Sequence, residues 1–275
     1  MNNLFLTARL DVTESLRARW FLLYTMVFGG IVALLMVFGL TESQVMGFTG
    51  LSRLLVTYIQ LSMAILPIFI LISTVRSVAS DREAGVFEYM LSLPVSIGAW
   101  YWGRFLGRFV AIFAPVFLAM AAAAVWGGLK GLPIPWKHFF VYSALLLSLS
   151  ICFLGLGFLI SALARSSDVA QSAAFMLWLV LLLFLDLILL GIMLKERVSP
   201  ELIVGISLMN PLQVFRTAAM ALFDPQLVLL GPAAFTILDR VGPDAYLVWA
   251  FLYPALIGIV AAAIGFWRFK SSDLV

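Results

Sequence analysis

The sequence predicts an all-α polytopic membrane protein with about six transmembrane helices. The first observation is composition, since 64% of the 275 residues are hydrophobic and only 11% are charged. The second is a mean hydropathy of +1.11, which is typical of chains embedded in a bilayer. A soluble domain of this size needs many more charged side chains to cover its surface. The third is a set of six apolar stretches, each long enough to cross the hydrocarbon core.

The six predicted spans cover residues 20–40, 54–75, 109–129, 139–163, 172–194 and 246–267. The first is too long for a signal peptide and lacks a small-residue cleavage site, so we expect a retained anchor. Before it, within residues 1–19, Phe5, Val12 and Leu16 fall near one helical face. This spacing predicts an interfacial helix along the membrane surface, with a frayed leader as the alternative. We expect residues 1–275 to form one domain.

Basic residues are scattered singly between the spans, which is typical of the positive-inside rule and not of nucleic-acid binding. The termini and the connections on their side carry ten Lys and Arg, against three in the two short connections opposite. The fifth connection, residues 195–245, is left out because long loops contribute little to this bias. The bias predicts a bacterial inner-membrane protein with both termini in the cytoplasm and no nucleic-acid partner.

The fifth connection contains two helix-start signals. Ser199-Pro200 and Asn210-Pro211 each place a capping side chain directly before a first-turn proline. We therefore expect external helices within residues 195–245. They could gate a path or dock an external partner, and the alternative is that they are simple hydrophobic lids over the bundle.

The connection between the second and third spans is the most informative segment. Ser80 and Glu83 form an S-x-x-E capping box, which predicts a helix start with Asp81 and Glu83 at its positive end. Pro94 disfavours helical geometry at the residue before it and should end the helix. The segment therefore predicts a cytosolic helix over residues 80–94.

This helix should carry an apolar stripe at helical spacing, made by Val86, Phe87, Met90 and Leu91. Charged side chains surround the stripe: Asp81, Arg82, Glu83 and Glu88. A short helix in water is too weak to persist alone, so the stripe should pack on something. Either it lies on the membrane surface or it fills a groove on a partner protein.

The run D-R-E-A-G-V-F-E-Y-M-L-S-L-P-V-S over residues 81–96 resembles the signature segment of ABC-2 type permeases of ABC transporters. In that family the segment is the coupling helix, which docks into a nucleotide-binding subunit. Residues 103–107, Gly-Arg-Phe-Leu-Gly, resemble the start of the family's third span, and Asn210-Pro211 its external helix. The resemblance implies these ATPase-coupling residues: Ser80, Asp81, Arg82, Glu83, Gly85, Val86, Phe87, Glu88, Met90, Leu91 and Pro94.

Shorter matches resemble one branch of that family, whose permeases serve assembly of the copper–sulfur centre of nitrous oxide reductase. They are Arg19-Trp20-Phe21, residues 46–49, residues 184–190 and Pro200-Glu201-Leu202. The likeness implies a homodimer, two separate ATPase subunits and a periplasmic β-helical subunit. Alternatives are a generic ABC-2 exporter of a lipid, drug or peptide and, from another class, a channel or secondary carrier.

We expect no catalytic, cofactor or metal site in this chain. Its four lysines follow Leu, Trp, Leu and Phe, so none completes a phosphate-binding loop, and ATP and magnesium should bind to the partner ATPase. Copper(I) favours clusters of thiolate, thioether and imidazole, but Cys152 and His138 are single and the methionines are dispersed. Cys152 should be a small buried filler. A membrane hydrolase is disfavoured because His138 lies at a span end.

Asp186 is the one acidic residue well inside a predicted span. A carboxylate within a bilayer is costly unless it is paired, protonated or hydrated, so it marks a functional-site hypothesis. It could line a translocation path or make a polar contact between helices.

Overall fold

The computed structural model describes residues 3–19, 21, 23–27, 29–30, 50–87, 95–129, 136–184, 200–223 and 238–271. Regular structure among these residues is entirely helical, which confirms the predicted all-α class. The helices are α1 (Asn3–Arg17), α2 (Gly50–Thr74), α3 (Arg76–Glu83), α4 (Ile97–Leu129), α5 (Trp136–Leu163), α6 (Ser167–Leu179, continued by a π-helical turn over Val180–Phe184), α7 (Pro200–Met209), α8 (Pro211–Phe223) and α9 (Pro243–Ser271).

Four of the described helices are long and apolar enough to cross a membrane. They are Ser62–Glu83, Ile97–Trp126, Trp136–Leu163 and Pro243–Ser271, which correspond to the second, third, fourth and sixth predicted spans. The first predicted span lies largely outside the described residues. The fifth is described as far as residue 184 and overlaps the shorter apolar helix Ser167–Leu183. The chain is a membrane protein, and the total of six spans stays a prediction.

Helix α5 is at the centre of the described bundle. It packs against α2, α3, α4, α6, α8 and α9. Its buried side chains point in all directions and include Leu146, Leu149, Phe153 and Phe158. A helix that is apolar all round is expected to be enclosed by other helices, and α5 fits that rule.

The closest helix crossing joins α5 to α9. A Cβ atom on Gly155 would collide with the carbonyl of Gly258, and one on Gly258 would collide with the carbonyl of Ile151. Small residues permit such backbone contact between membrane helices. Near this crossing the Ser148 hydroxyl donates to the carbonyl of Phe251 (2.5 Å) and accepts from the N–H of Ala255 (3.1 Å), so it bridges two turns of α9.

Helix α1 runs alongside the first part of α4, and two glycines permit the contact. A Cβ on Gly103 would lie 2.7 Å from Cβ of Thr7, and one on Gly107 would lie 2.5 Å from the carbonyl oxygen of Ala8. These are the two glycines of residues 103–107. Residues 3–17 are helical, and their position on the membrane surface stays a prediction.

Two helices extend beyond the predicted spans near this end of the bundle. Helix α4 begins at Ile97, well before residue 109, so Arg104 and Arg108 lie on a helix and not in a connection. The helix of the second span continues to Glu83 after one turn residue, Val75, whose N–H still donates to the carbonyl of Leu71 (2.9 Å). Hydropathy locates apolar runs, and it misses helical extensions that carry arginines paired inside the protein.

Helices α7 and α8 begin at Pro200 and Pro211, where the sequence predicts helix starts. The Asn210 side chain caps α8 by accepting from the N–H of Leu212 (3.0 Å). Its amide also donates to the carbonyl of Leu181 (2.8 Å), within the π-helical turn. Helix α8 is almost wholly buried against α2, α5 and α9, and the role of these helices as a gate, a docking site or a lid stays a prediction.

Candidate functional site: the junction segment

We call residues 76–87 the junction segment, because they link the second span to the remainder of the predicted coupling helix. The predicted helix start at Ser80 is wrong, since Ser80 lies inside α3, which begins at Arg76. The first N–H groups of this helix are capped from another helix. The Ser161 hydroxyl of α5 accepts from the N–H groups of Val78 (3.0 Å) and Ala79 (3.1 Å).

Three consecutive side chains of the junction segment bind three different helices. Asp81 forms a salt bridge with Arg104 of α4. Arg82 donates to the carbonyl oxygens of Ala164 (3.2 Å) and Ala162 (3.4 Å) at the end of α5.

The Glu83 carboxylate accepts from the N–H (3.1 Å) and hydroxyl (2.7 Å) of Ser167, the first residue of α6. Both Arg82 and Glu83 match the sign of the helix end that they contact. The sequence predicts that these charges surround the apolar stripe, and in the structure they connect α3 to its neighbours.

Two arginines one turn apart on α4, Arg104 and Arg108, contact the junction segment and the end of α2. Arg104 donates to the carbonyl of Ser77 (2.6 Å) and lies 4.7 Å from the ring centre of Trp100. Arg108 forms a salt bridge with Asp11 of α1 (2.9 Å) and donates to the carbonyl of Ser73. Asp11 is only 2% exposed, so this pair stabilises the contact between α1 and α4 under little solvent screening.

Gly85 ends α3 with φ of +67°, a left-handed conformation that favours glycine. Its N–H donates to the carbonyl of Arg82 (3.2 Å). The predicted single helix over residues 80–94 is therefore interrupted here, and the backbone becomes helical again at Val86 and Phe87. Glu88, Met90, Leu91 and Pro94 lie outside the described residues.

The Phe87 side chain does not belong to an exposed stripe. It is 3% exposed and packs between Trp100 of α4 and Phe269 of α9, with ring centres 5.2 and 5.0 Å away. These described contacts lie within the chain, and the predicted contact of Phe87 with a partner stays a prediction. The exposed part of the junction segment is instead the turn formed by Glu83, Ala84 and Gly85.

A model of the family described as "ABC-2 family transporter protein" matches residues 6–274. The chain belongs to the ABC-2 transporter family. It is 24% identical over 233 residues to the "Probable ABC transporter permease protein NosY" of Stutzerimonas stutzeri, covering 82% of this chain and 83% of the relative. It is 25% identical over 224 residues to the protein of the same name from Pseudomonas aeruginosa, covering 79% and 81%.

This ABC-2 permease subunit contains several junction contacts that sequence reasoning missed. Asp11, Arg104 and Ser161 were not proposed as site residues, although each holds the junction segment or an adjacent helix. Charges next to apolar spans could have suggested Asp11 and Arg104. No local signal marks Ser161, because its partners are distant in the sequence.

Three further sequence predictions concern Cys152, metal ligands and Asp186. Cys152 is fully buried within α5, as predicted. Within the described ranges, no group of three or more His, Cys, Asp and Glu residues could hold a metal ion. Asp186 lies outside the described residues, so its role stays a prediction.

Proposed function

We propose that this ABC-2 permease transmits ATP-driven motion from separate ATPase subunits to its membrane helices through the junction segment. The observation that carries the proposal is the division of contacts among Asp81, Arg82 and Glu83, which bind α4, α5 and α6. A force on the exposed turn would therefore act on three helices together. Contiguous polar and packed contacts of this kind are suited to coupling between distant sites.

ATP and magnesium bind to the partner subunits in this proposal, since the sequence contains no phosphate-binding loop. The exposed turn at residues 83–85 and the adjoining residues 88–94 contact the ATPase. Two copies of the permease pair with two NosF-like ATPases and a periplasmic NosD-like β-helical subunit. The assembly lies in the bacterial inner membrane, with both permease termini in the cytoplasm.

The process served is assembly of the copper–sulfur centre of nitrous oxide reductase. The relatives named NosY support this assignment through similarity that covers about four-fifths of each chain. The permease either exports a small sulfur-containing compound or signals mechanically to the periplasmic subunit. A copper path is disfavoured, because one Cys and one His cannot supply the ligand clusters that copper(I) prefers.

The coupling proposal is tested by Ala84→Trp in the exposed turn. Thr13→Trp is the matched control, since Thr13 is also exposed and lies on α1, which packs against α4. We expect Ala84→Trp to prevent copurification of the ATPase subunits, because the added ring occupies the docking surface, while Thr13→Trp retains them. Full ATPase binding and hydrolysis in both variants would contradict this docking surface.

The process is tested by deleting the gene in its own host. The reductase should then accumulate without its copper–sulfur centre, as measured from its absorption spectrum, and the wild-type gene should restore the centre. A complete centre in the deletion strain would overturn the proposed process and leave the coupling geometry intact.

A further inference from the structure

A cavity of about 310 Å³ opens between α1, α2, α4 and α6. Its size is at the lower end of ligand pockets, which span roughly 300–1,000 Å³. The cavity adjoins the junction segment, because Arg76 and Arg108 line it. Neither the coupling contacts nor the proposed docking turn requires this space.

The lining changes from polar to apolar along three of the surrounding stretches of chain. Arg76 is the first residue of the junction segment and Ser73 comes shortly before it, whereas Ile72 and Phe69 precede Ser73 on α2. On α4 the polar residue, Arg108, is followed one turn later by the apolar Ile112. Near the start of the chain, Glu14 is likewise polar and Phe21 apolar. The cavity therefore has one polar end and one apolar end.

Two opposite charges at the polar end remain available to a ligand. Glu14 and Arg76 are both exposed and both line the cavity. Among the described residues they form no salt bridge with each other, and the bridges present join Arg104 to Asp81 and Arg108 to Asp11. Asp11 thus offsets the charge of Arg108. Arg76 lies near Glu83, which is outside the cavity lining, and the charged lining residues that form no salt bridge are Arg76 and Glu14.

We infer that this cavity binds a phospholipid whose headgroup carries a phosphate and a primary ammonium, such as phosphatidylethanolamine. The Arg76 guanidinium binds the phosphate, because its donor geometry matches phosphate oxygens. The Glu14 carboxylate binds the ammonium, and Ser15 and Gln171 lie near enough to the cavity to add hydrogen bonds. An acyl chain lies against Phe21, Phe69 and Ile112. Basic pockets between membrane helices are known to hold lipid headgroups.

The test is native mass spectrometry of the purified full-length chain in detergent. The probes are phosphatidylethanolamine, phosphatidylcholine and phosphatidylglycerol with identical acyl chains, together with soluble phosphoethanolamine. Wild-type protein should retain phosphatidylethanolamine at the lowest lipid concentration. Soluble phosphoethanolamine should bind far more weakly, because it lacks the acyl chain.

Arg76→Gln should weaken binding of all three phospholipids about tenfold, the loss expected for one charge-assisted hydrogen bond. Glu14→Gln should remove the preference for phosphatidylethanolamine over phosphatidylcholine and leave phosphate binding intact. Arg165→Gln is the control, since Arg165 is exposed outside the cavity and should bind lipid like the wild type. Melting curves of tryptophan fluorescence verify that each variant is folded.

Two results would overturn the inference. One is phosphatidylethanolamine binding by both Arg76→Gln and Glu14→Gln that equals binding by Arg165→Gln. The other is equal binding of soluble phosphoethanolamine and the complete lipid, because the apolar end would then play no part. If Arg76→Gln is unfolded, Glu14→Gln decides the question. Loss of its preference for phosphatidylethanolamine supports the inference, and an unchanged preference overturns it.

Discussion

At the residue scale, the hydroxyl of Ser161 accepts two backbone N–H groups at the start of α3. We predict that Ser161→Ala destabilises the protein by about 1–3 kcal/mol, because buried donors lose an acceptor. The measurement is the thermal midpoint of the purified chain, with hydrogen exchange at Val78 and Ala79. Exchange at these two amides of α3 should accelerate more than exchange at the amides of α5.

Ser150→Ala is the matched control for this prediction. Ser150 lies on the same helix and is also buried, but its hydroxyl donates to the carbonyl of Leu146 within α5. A serine that bonds only to its own helix contributes little to packing between helices. Equal thermal midpoints for the two variants would show that the Ser161 contact does not hold α3.

At the element scale, the crossing of α5 and α9 depends on direct backbone contact at Gly155 and Gly258. We predict that Gly258→Ala separates the two helices and lowers stability by roughly 1–3 kcal/mol, the usual cost of overpacking. The measurement is the thermal midpoint and the yield of monodisperse protein. Gly98→Ala is the control, since its Cβ would make an ordinary contact of 3.6 Å with Phe266.

Gly98→Ala should not lower the stability of the protein. Because Gly98 lies in a helix and alanine is the better helix former, this variant should match or slightly exceed wild-type stability. A Gly258→Ala protein as stable as Gly98→Ala would contradict the close crossing. The comparison separates packing between helices from the general effect of replacing glycine.

The sequence predicts correctly those features that depend on residues close together in the chain. The two helix starts at Pro200 and Pro211 and the burial of Cys152 are such features, and the structure agrees with them. The capping box at Ser80 predicts the wrong helix start, because an N–H group in the first turn of α3, that of Val78, donates to Ser161, 83 residues away from Val78. The apolar spacing predicts that Phe87 packs on the membrane or on a partner protein, but the described ring contacts are with Trp100 and Phe269 of this same chain.

At the scale of the whole molecule, Arg104 joins the junction segment to α4 through Asp81 and the carbonyl of Ser77. We predict that Arg104→Gln retains ATPase binding but lowers permease-dependent reductase maturation about tenfold or more, since a charged hydrogen bond contributes roughly 1.5–3 kcal/mol. The measurements are ATPase copurification and the copper–sulfur absorption of the reductase. Because the docking turn is unchanged, binding and transmission should separate.

Arg9→Gln is the control for transmission, because Arg9 is an exposed residue of α1. It should retain both ATPase binding and maturation. If Arg104→Gln behaves like Arg9→Gln, the contact between α3 and α4 is structural and does not transmit motion. If Arg104→Gln loses ATPase binding and Arg9→Gln retains it, Arg104 supports docking of the ATPase and not transmission of motion.

The buried Cys152 is the only cysteine of the chain. Because its thiol is shielded inside α5, pairs of cysteines introduced on exposed positions can carry spin labels in an otherwise natural sequence. Distances between labels on the exposed turn and on α9 can then be followed through a nucleotide cycle by electron paramagnetic resonance. The single sheltered thiol thus makes helix displacement directly observable without first removing a native residue.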